Sequence, residues 1–292
     1  MSTLLFRWEH KKMRKILVTA ASGNAGRSAV NALLSSGFSV VATSRNPQSL
    51  ACPPGVEARQ YDANADVDFD VLLKDIDDVV LIGPPLDGQV HEKLAPFIKA
   101  ASARNIGRLV YLSGNYLAGF SGTSLANLAI RKVELEVINS GLPYTLVRAG
   151  FFMDNFLTGF YKPMVDQGSI RLAVGDAKSA FVAASDVGEF IAQAILQDLS
   201  GEYIVTGPEA LDHQHVASLL SRKLSKPVSY DSITEEQLRQ VYISKGLAPQ
   251  TIEYGLTLYR AVRNQATAAI TDSFKQATGR EPKTFEAFLG LT

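Results

Sequence analysis

The chain has a single cysteine, Cys52, among 292 residues. One thiol cannot form an internal disulfide, and this scarcity fits a reducing compartment, so a cytoplasmic protein is expected. Neither charge is in excess, with 29 basic residues facing 29 acidic ones. A nucleic-acid-binding domain needs a basic excess on one face, so no nucleic-acid partner is expected. No apolar run approaches the roughly 18 residues that mark a membrane-spanning helix, so no membrane partner is expected either. Gly-x-Ser-x-Gly elbows and Walker loops are both missing. What remains is ordinary globular material, 46% hydrophobic and 20% charged. It is long enough to bury a full core in one large α/β domain, or in a domain with a smaller lobe.

Residues 1–12 read as an N-terminal extension. Its basic residues follow its apolar part, the reverse of a secretory signal, and Met13 is a candidate second start. Short apolar runs then alternate with helical patterns. Strands are expected at Ile16–Val18, Phe38–Ala42, Val56–Tyr61, Val79–Ile82, Leu109–Leu112 and Tyr144–Val147. Helices are expected between them, among them one run from Leu125 to Asn139. Continuous apolar strands separated by helices mean a doubly wound parallel sheet of Rossmann type over residues 13–150. After Gly150 the rhythm breaks. Residues 151–292 are expected to form a smaller, mostly helical substrate lobe, with a segment near 185–206 returning to the sheet. Glu57 to Asp78 carries eight acidic side chains against Arg59 and Lys74, and reads as a solvated face.

The strongest motif is Val18-Thr19-Ala20-Ala21-Ser22-Gly23-Asn24-Ala25-Gly26, lying between the first strand and the first helix. Glycine there lets the backbone approach a pyrophosphate, and the helix N-terminus offers free N–H groups. Ala20, Ser22, Gly23, Asn24, Ala25 and Gly26 are therefore assigned to the cofactor. At the end of strand two, where an NAD site usually carries Asp or Glu, stand Ser44-Arg45. A hydroxyl and a guanidinium bind a 2′-phosphate, so NADPH is expected over NADH. Asp62-Ala63 follows strand three; Asp62 either bonds the adenine or caps the next turn. Ile82, Gly83 and Pro84 are expected beside the nicotinamide.

These residues resemble a family. The Ala-Ala-Ser-Gly-x-x-Gly loop, Ser44-Arg45-Asn46-Pro47 and Leu81-Ile82-Gly83-Pro84-Pro85 look like the NmrA-like branch of atypical short-chain dehydrogenases. Glu134 and the run Ser140-Gly141-Leu142-Pro143-Tyr144-Thr145-Leu146-Val147-Arg148 are similar to its Glu…Ser-Gly-Leu-Pro-Tyr-Thr-x-Leu-Arg signature. Phe151-Phe152-Met153-Asp154-Asn155-Phe156 and the closing run Thr278 to Phe285 match its remaining motifs, so the resemblance extends from about Arg14 to the C-terminus. It implies kinship with NAD(P)H quinone and azo reductases and festuclavine dehydrogenase-like reductases. Two positions depart from the pattern. The family's first glycine is Ala20, and a positive φ there would be costly for alanine. The helix segment where relatives often carry His or Lys reads Ala129-Ile130-Arg131-Lys132.

No tyrosine has a lysine four residues on, so the Tyr-x-x-x-Lys pair of typical short-chain dehydrogenases is missing. Ser113 and Tyr116 are the catalytic candidates, Ser113 polarising a substrate and Tyr116 acting as acid; Ser113 as a strand cap is an equal alternative. Phe151 is assigned to the cofactor. Pro85, Tyr116, Phe152, Asn155 and Phe156 are assigned to a substrate wall, although the rings equally suit packing of the lobe. Asp212-His213-Gln214-His215 is read as a helix cap, not a metal site, because residues two apart on a helix face different ways. The expectation is an NADPH-dependent reductase passing hydride to a small flat or cationic electrophile: a quinone, an azo compound or an imine. A catalytically silent NAD(P)-sensing protein is the alternative, an isomerase or epimerase a weaker third. A small molecule is the expected partner. A homodimer stays open, and a protein partner belongs to the sensing alternative alone.

Overall fold

The computed structural model describes residues 13–291, so the expected extension over 1–12 lies outside the described residues. The first half alternates β1 (Lys15–Val18), α1 (Asn24–Ser35), β2 (Ser39–Ser44), β3 (Glu57–Gln60), α2 (Phe69–Leu72), β4 (Asp78–Ile82), α3 (Val90–Ala103) and β5 (Arg108–Gly114). Then come α4 (Gly122–Ala126), α5 (Ala129–Ile138) and β6 (Tyr144–Ala149). The second half holds α6 (Lys162–Asp166), β7 (Ser169–Leu172), α7 (Ala184–Leu196), β8 (Gly201–Val205), α8 (His213–Leu224) and β9 (Ser229–Ser232). It ends with α9 (Glu235–Ser244), α10 (Pro249–Arg263), α11 (Ser273–Thr278) and α12 (Phe285–Leu289).

Seven strands form one parallel sheet in the order β3-β2-β1-β4-β5-β6-β8. This is the Rossmann-type sheet that the alternating pattern predicts. Its central strands β1 and β4 are buried and largely apolar because helices cover both faces, whereas edge strand β3 reads Glu-Ala-Arg-Gln and is mostly exposed. In β1, Ile16 and Val18 pack on the side of α1 and α7, while Leu17 faces α3 and α5. That is the two-residue period of a strand sandwiched between layers. The helix pair α1 and α7 packs with backbone in near contact. A Cβ on Gly188 would fall 2.5 Å from the Ser28 carbonyl, so glycine sets that approach. Helix α1 ends where Gly37, at φ +83°, turns left-handed and bonds its N–H back to Leu34. Strand order reverses at β1, between β2 and β4, and the ligand crevice of such sheets opens beyond the carboxyl ends there.

Three features depart from the sequence reading. The helix expected over 125–139 is two, because Leu128 is extended (φ −68°, ψ +128°) between α4 and α5. The second half also contains a small parallel sheet of β7 and β9. Strand β9 reads Ser-Tyr-Asp-Ser and buries none of its four residues fully, so it carries no apolar alternation to detect. Finally, the acidic run is not uniformly solvated. Asp78 is fully buried and bonds the Arg14 guanidinium at 2.6 Å. The lobe has its own core, built from the segment after β6 together with β7, α8, α9, α10 and α12.

Candidate functional site

The loop from β1 to α1 is fixed from both sides. Thr19 accepts the Ile82 N–H at 2.7 Å and donates to the Ile82 carbonyl at 2.9 Å, tying the end of β1 to the end of β4. Ala21 N–H reaches Thr43 O at 3.0 Å, and Gly23 N–H reaches Ala20 O at 3.0 Å. Ala20 has φ +50°, so the loop does demand the left-handed conformation that alanine resists. Gly26 is buried against the same turn. A Cβ there would meet the Ala20 carbonyl oxygen and lie 2.8 Å from Ala20 C and Ala21 Cα. No side chain caps the N-terminus of α1, and no acidic residue sits in its first turn. The positive end of this 12-residue helix is thus left for an anion, with Ser22 and Gly23 exposed and Asn24 and Ala25 half-buried around it. Asn24 Oδ1 meets Arg27 Nη2 at 3.0 Å and Thr158 Oγ1 at 3.2 Å, joining the loop to the lobe.

At the end of β2, the Ser44 hydroxyl is buried and has no partner among the described residues, while Arg45 beside it is exposed. A buried hydroxyl without a partner is costly unless a ligand satisfies it. Asp62 Oδ1 accepts the Asn64 N–H at 2.9 Å, so it does close the following turn. Those hydrogen bonds from Asn64 hold its carboxyl below the usual range, with the charges of Arg45 and Lys93 adding to the effect. Ala63 is half-buried beside it. A cleft of about 250 Å³ opens between α1, at Arg27 and Asn31, and the loop Leu50 to Pro53. It borders the β1–α1 loop only at Ala21 and contains nothing from the ends of β4, β5 or β6.

Those three strand ends build the other half of the site. After β4, Ile82, Gly83 and Pro84 are half-buried and Pro85 is exposed. A Cβ on Gly83 would lie 2.9 Å from Val90, so the loop hugs α3. After β5, the edge of the Tyr116 ring lies against Gly114, where a Cβ would come 2.7 Å from Cδ1. The Tyr116 hydroxyl is hydrogen-bonded to that of Tyr254 on α10. Burial, above all, pushes the Tyr116 hydroxyl well above its ordinary pKa. After β6, Phe151 packs on both the lobe core and the Tyr116 cluster. Leu86, Tyr116, Phe151 and the α10 residues Tyr254, Leu258 and Ala261 thus make one apolar wall.

Ser113 sits differently from a substrate-polarising hydroxyl. Its Oγ donates to Glu134 Oε1 at 2.7 Å, so its one hydrogen is engaged. Glu134 is fully buried and also receives Arg148 at 2.7 and 2.8 Å and Arg131 at 2.6 Å. Burial pushes its carboxyl up, but the bonds from Arg148, Ser113 and Arg131 outweigh this and hold it below the usual range. Sequence reasoning gave Glu134 no role, although it is the one acidic residue on the buried face of α5. Tyr254 was also missed, and nothing local to it signals a partner 138 residues away.

The aromatic segment divides. Phe152 pairs with Val182 and packs on the sheet side, half-buried. Asn155 is half-buried beside Gly159. Phe156 is fully enclosed by Tyr161, Phe181, His213 and Phe285, so it has no surface to offer a substrate. This corrects its assignment to the substrate wall: the Asp154-Asn155-Phe156 turn rolls the ring into the lobe core. Asp212 caps α8 by accepting the His215 N–H at 2.7 Å. His213 is buried in the same core, which pushes its pKa down to about 4.

Comparison with known proteins places this geometry. The model of the NmrA-like family matches residues 12–289. A (4-alkanoyl-5-oxo-2,5-dihydrofuran-3-yl)methyl phosphate reductase of Streptomyces griseus is 30% identical over 92% of this chain and 95% of its own. The NAD(P)H azoreductase of Xenophilus azovorans is 28% identical over 80% and 82%. Among solved structures, an NADPH-dependent quinone oxidoreductase of Escherichia coli in complex with NADPH superposes with a TM-score of 0.77 at 23% identity, covering 94% of this chain and 99% of that one. With the sheet, the glycine-containing β1–α1 loop and the signature runs in place along nearly its whole length, the chain belongs to the NmrA-like family.

Proposed function

We propose that the protein is an NADPH-dependent reductase that passes hydride to a small flat or cationic electrophile such as a quinone, an azo compound or an imine. One observation carries this reading. The loops leaving β4, β5 and β6 join α10 in one apolar, aromatic wall, and in this parallel sheet they leave the same end as the loop from β1 to the uncapped N-terminus of α1. The uncapped start of α1 holds the pyrophosphate, and Gly26 lets the backbone approach it. Ser44 and Arg45 hold the 2′-phosphate. The nicotinamide, when bound, supplies the hydride. Leu86 and Phe151, both half-buried, keep surface with which to stack a flat acceptor and exclude water. No strong protein acid is required, because quinones, azo compounds and iminium ions take hydride with a proton from water. Small molecules are the partners in this reading, and the compartment is the cytoplasm; among the described residues no helix is long and apolar enough to cross a membrane. The names of the two relatives and the solved structure support reductase chemistry. The test is a panel of quinone, azo and iminium acceptors with purified protein, followed by NADPH absorbance. Turnover with at least one class is expected; no turnover with any would refute the reading.

A further inference from the structure

The apolar wall contains one polar feature, the pair of hydroxyls on Tyr116 and Tyr254. Two hydroxyls carry two hydrogens. One lies between the two oxygens, and no residue among those described accepts the other. The two rings meet edge to face, 6.4 Å apart at 81°, so the pair is held rigidly. Tyr116 is buried, its ring edge against Gly114, whereas Tyr254 is the more exposed of the two. Either hydroxyl can donate to the other; with Tyr116 as the donor, the hydrogen of Tyr254, the less buried residue, is left free to point outward. A hydroxyl that accepts one hydrogen bond donates the next more strongly.

We infer that Tyr254 is a specificity-determining residue that donates to a carbonyl oxygen of the acceptor, so that quinones are the preferred substrate class over cationic acceptors. This rests on the reductase reading above. Reduction of a quinone takes one hydride from the reduced nicotinamide, which ends oxidised, and one proton from water. Negative charge gathers on a quinone oxygen as hydride arrives, and a hydrogen bond aimed at that oxygen strengthens along the reaction. A cationic dye or iminium ion loses positive charge instead and gains nothing from a donor at that place.

The test measures kcat/KM for a naphthoquinone and for a cationic triarylmethane dye, with NADPH fixed, in the unaltered protein and in Tyr254→Phe and Tyr116→Phe. The ratio of quinone to dye is expected to fall about tenfold in Tyr254→Phe and less in Tyr116→Phe. Loss of packing alone lowers both acceptors together and leaves the ratio where it was. A ratio within twofold of the unaltered protein in Tyr254→Phe overturns the inference while the reductase reading stands. No oxidation of NADPH with the quinone by the unaltered protein also overturns the inference, and only its absence with every quinone, azo and iminium acceptor overturns the reductase reading as well.

Discussion

Gly26 separates the cofactor-binding role of the first loop from its merely structural one. In Gly26→Ala the new Cβ meets only backbone: the Ala20 carbonyl oxygen, with Ala20 C and Ala21 Cα each at 2.8 Å. Ordinary contact begins near 3.4 Å, so the loop must retreat by at least about 0.6 Å. It has little freedom to do so. Ala20 already sits at φ +50°, and the bonds Ala21 N–H to Thr43 O and Gly23 N–H to Ala20 O anchor it. Overpacking of this kind costs about 1–3 kcal/mol. Gly188 supplies the control, because a Cβ there falls 2.5 Å from Ser28 on another face of the same helix, α1. Both alanine variants should shift the urea midpoint to lower concentration with unchanged slope, by amounts of similar size. Only Gly26→Ala displaces the turn that faces the pyrophosphate. Fluorescence titration should show its NADPH affinity reduced by about tenfold or more, against less than threefold for Gly188→Ala. Equal affinities in the two variants would refute the assignment of this loop to the cofactor.

Two further outcomes follow from charge and burial. Arg45→Ala removes a charge-assisted contact worth about 1.5 kcal/mol at an exposed position, so KM for NADPH should rise about tenfold while KM for NADH moves less than twofold; equal changes for the two cofactors would defeat the proposed 2′-phosphate site. His213 has its pKa lowered from 6.5 to about 4 by burial, so the folded state resists a proton that the unfolded chain accepts. Stability from this group is complete above pH 6.5 and is lost as pH falls toward 4, by roughly 3 kcal/mol in all. His213→Gln should flatten that part of the urea-midpoint profile between pH 7 and pH 4.5, and an unchanged slope would show that another group carries it.

Legibility in the sequence followed the range of the forces involved. The sheet was readable because a strand covered on both faces must be apolar at successive residues, as Ile16-Leu17-Val18 and Val79-Val80-Leu81 are. The turn from β1 to α1 was readable because its requirements are local: a strand end, a glycine and a helix start. The small β7–β9 sheet was not. Exposed Ser229 and Asp231 pair through backbone hydrogen bonds that any residue can make, so Ser-Tyr-Asp-Ser holds no trace of them. The break between α4 and α5 was hidden for a related reason. Leu128 has good helix propensity and is extended because tertiary packing holds it against the Tyr116 cluster.

The site divides along the same line, and this explains which assignments shifted. Ser113 and Phe156 both stand at sequence positions that face a crevice in a generic strand-to-loop geometry. What each side chain does depends on a distant partner. Ser113 gives its hydrogen to Glu134, 21 residues on, whose charge is in turn balanced by Arg148. Glu134, shared by Ser113, Arg148 and Arg131, ties the end of β5 to β6 and α5 more firmly than a serine cap would. Phe156 meets Phe285 from the chain terminus, so its burial is decided only when α12 docks. The Tyr116–Tyr254 bridge has the same logic. One tyrosine is set by a glycine two residues before it, the other by a helix of the lobe, and only the fold makes them a pair. In the proposed reading the cofactor half of the site is therefore written in short motifs, whereas the acceptor half is written in contacts between lobe and sheet. Under that reading, variation in α10 would change the acceptor without disturbing Gly26 or Arg45.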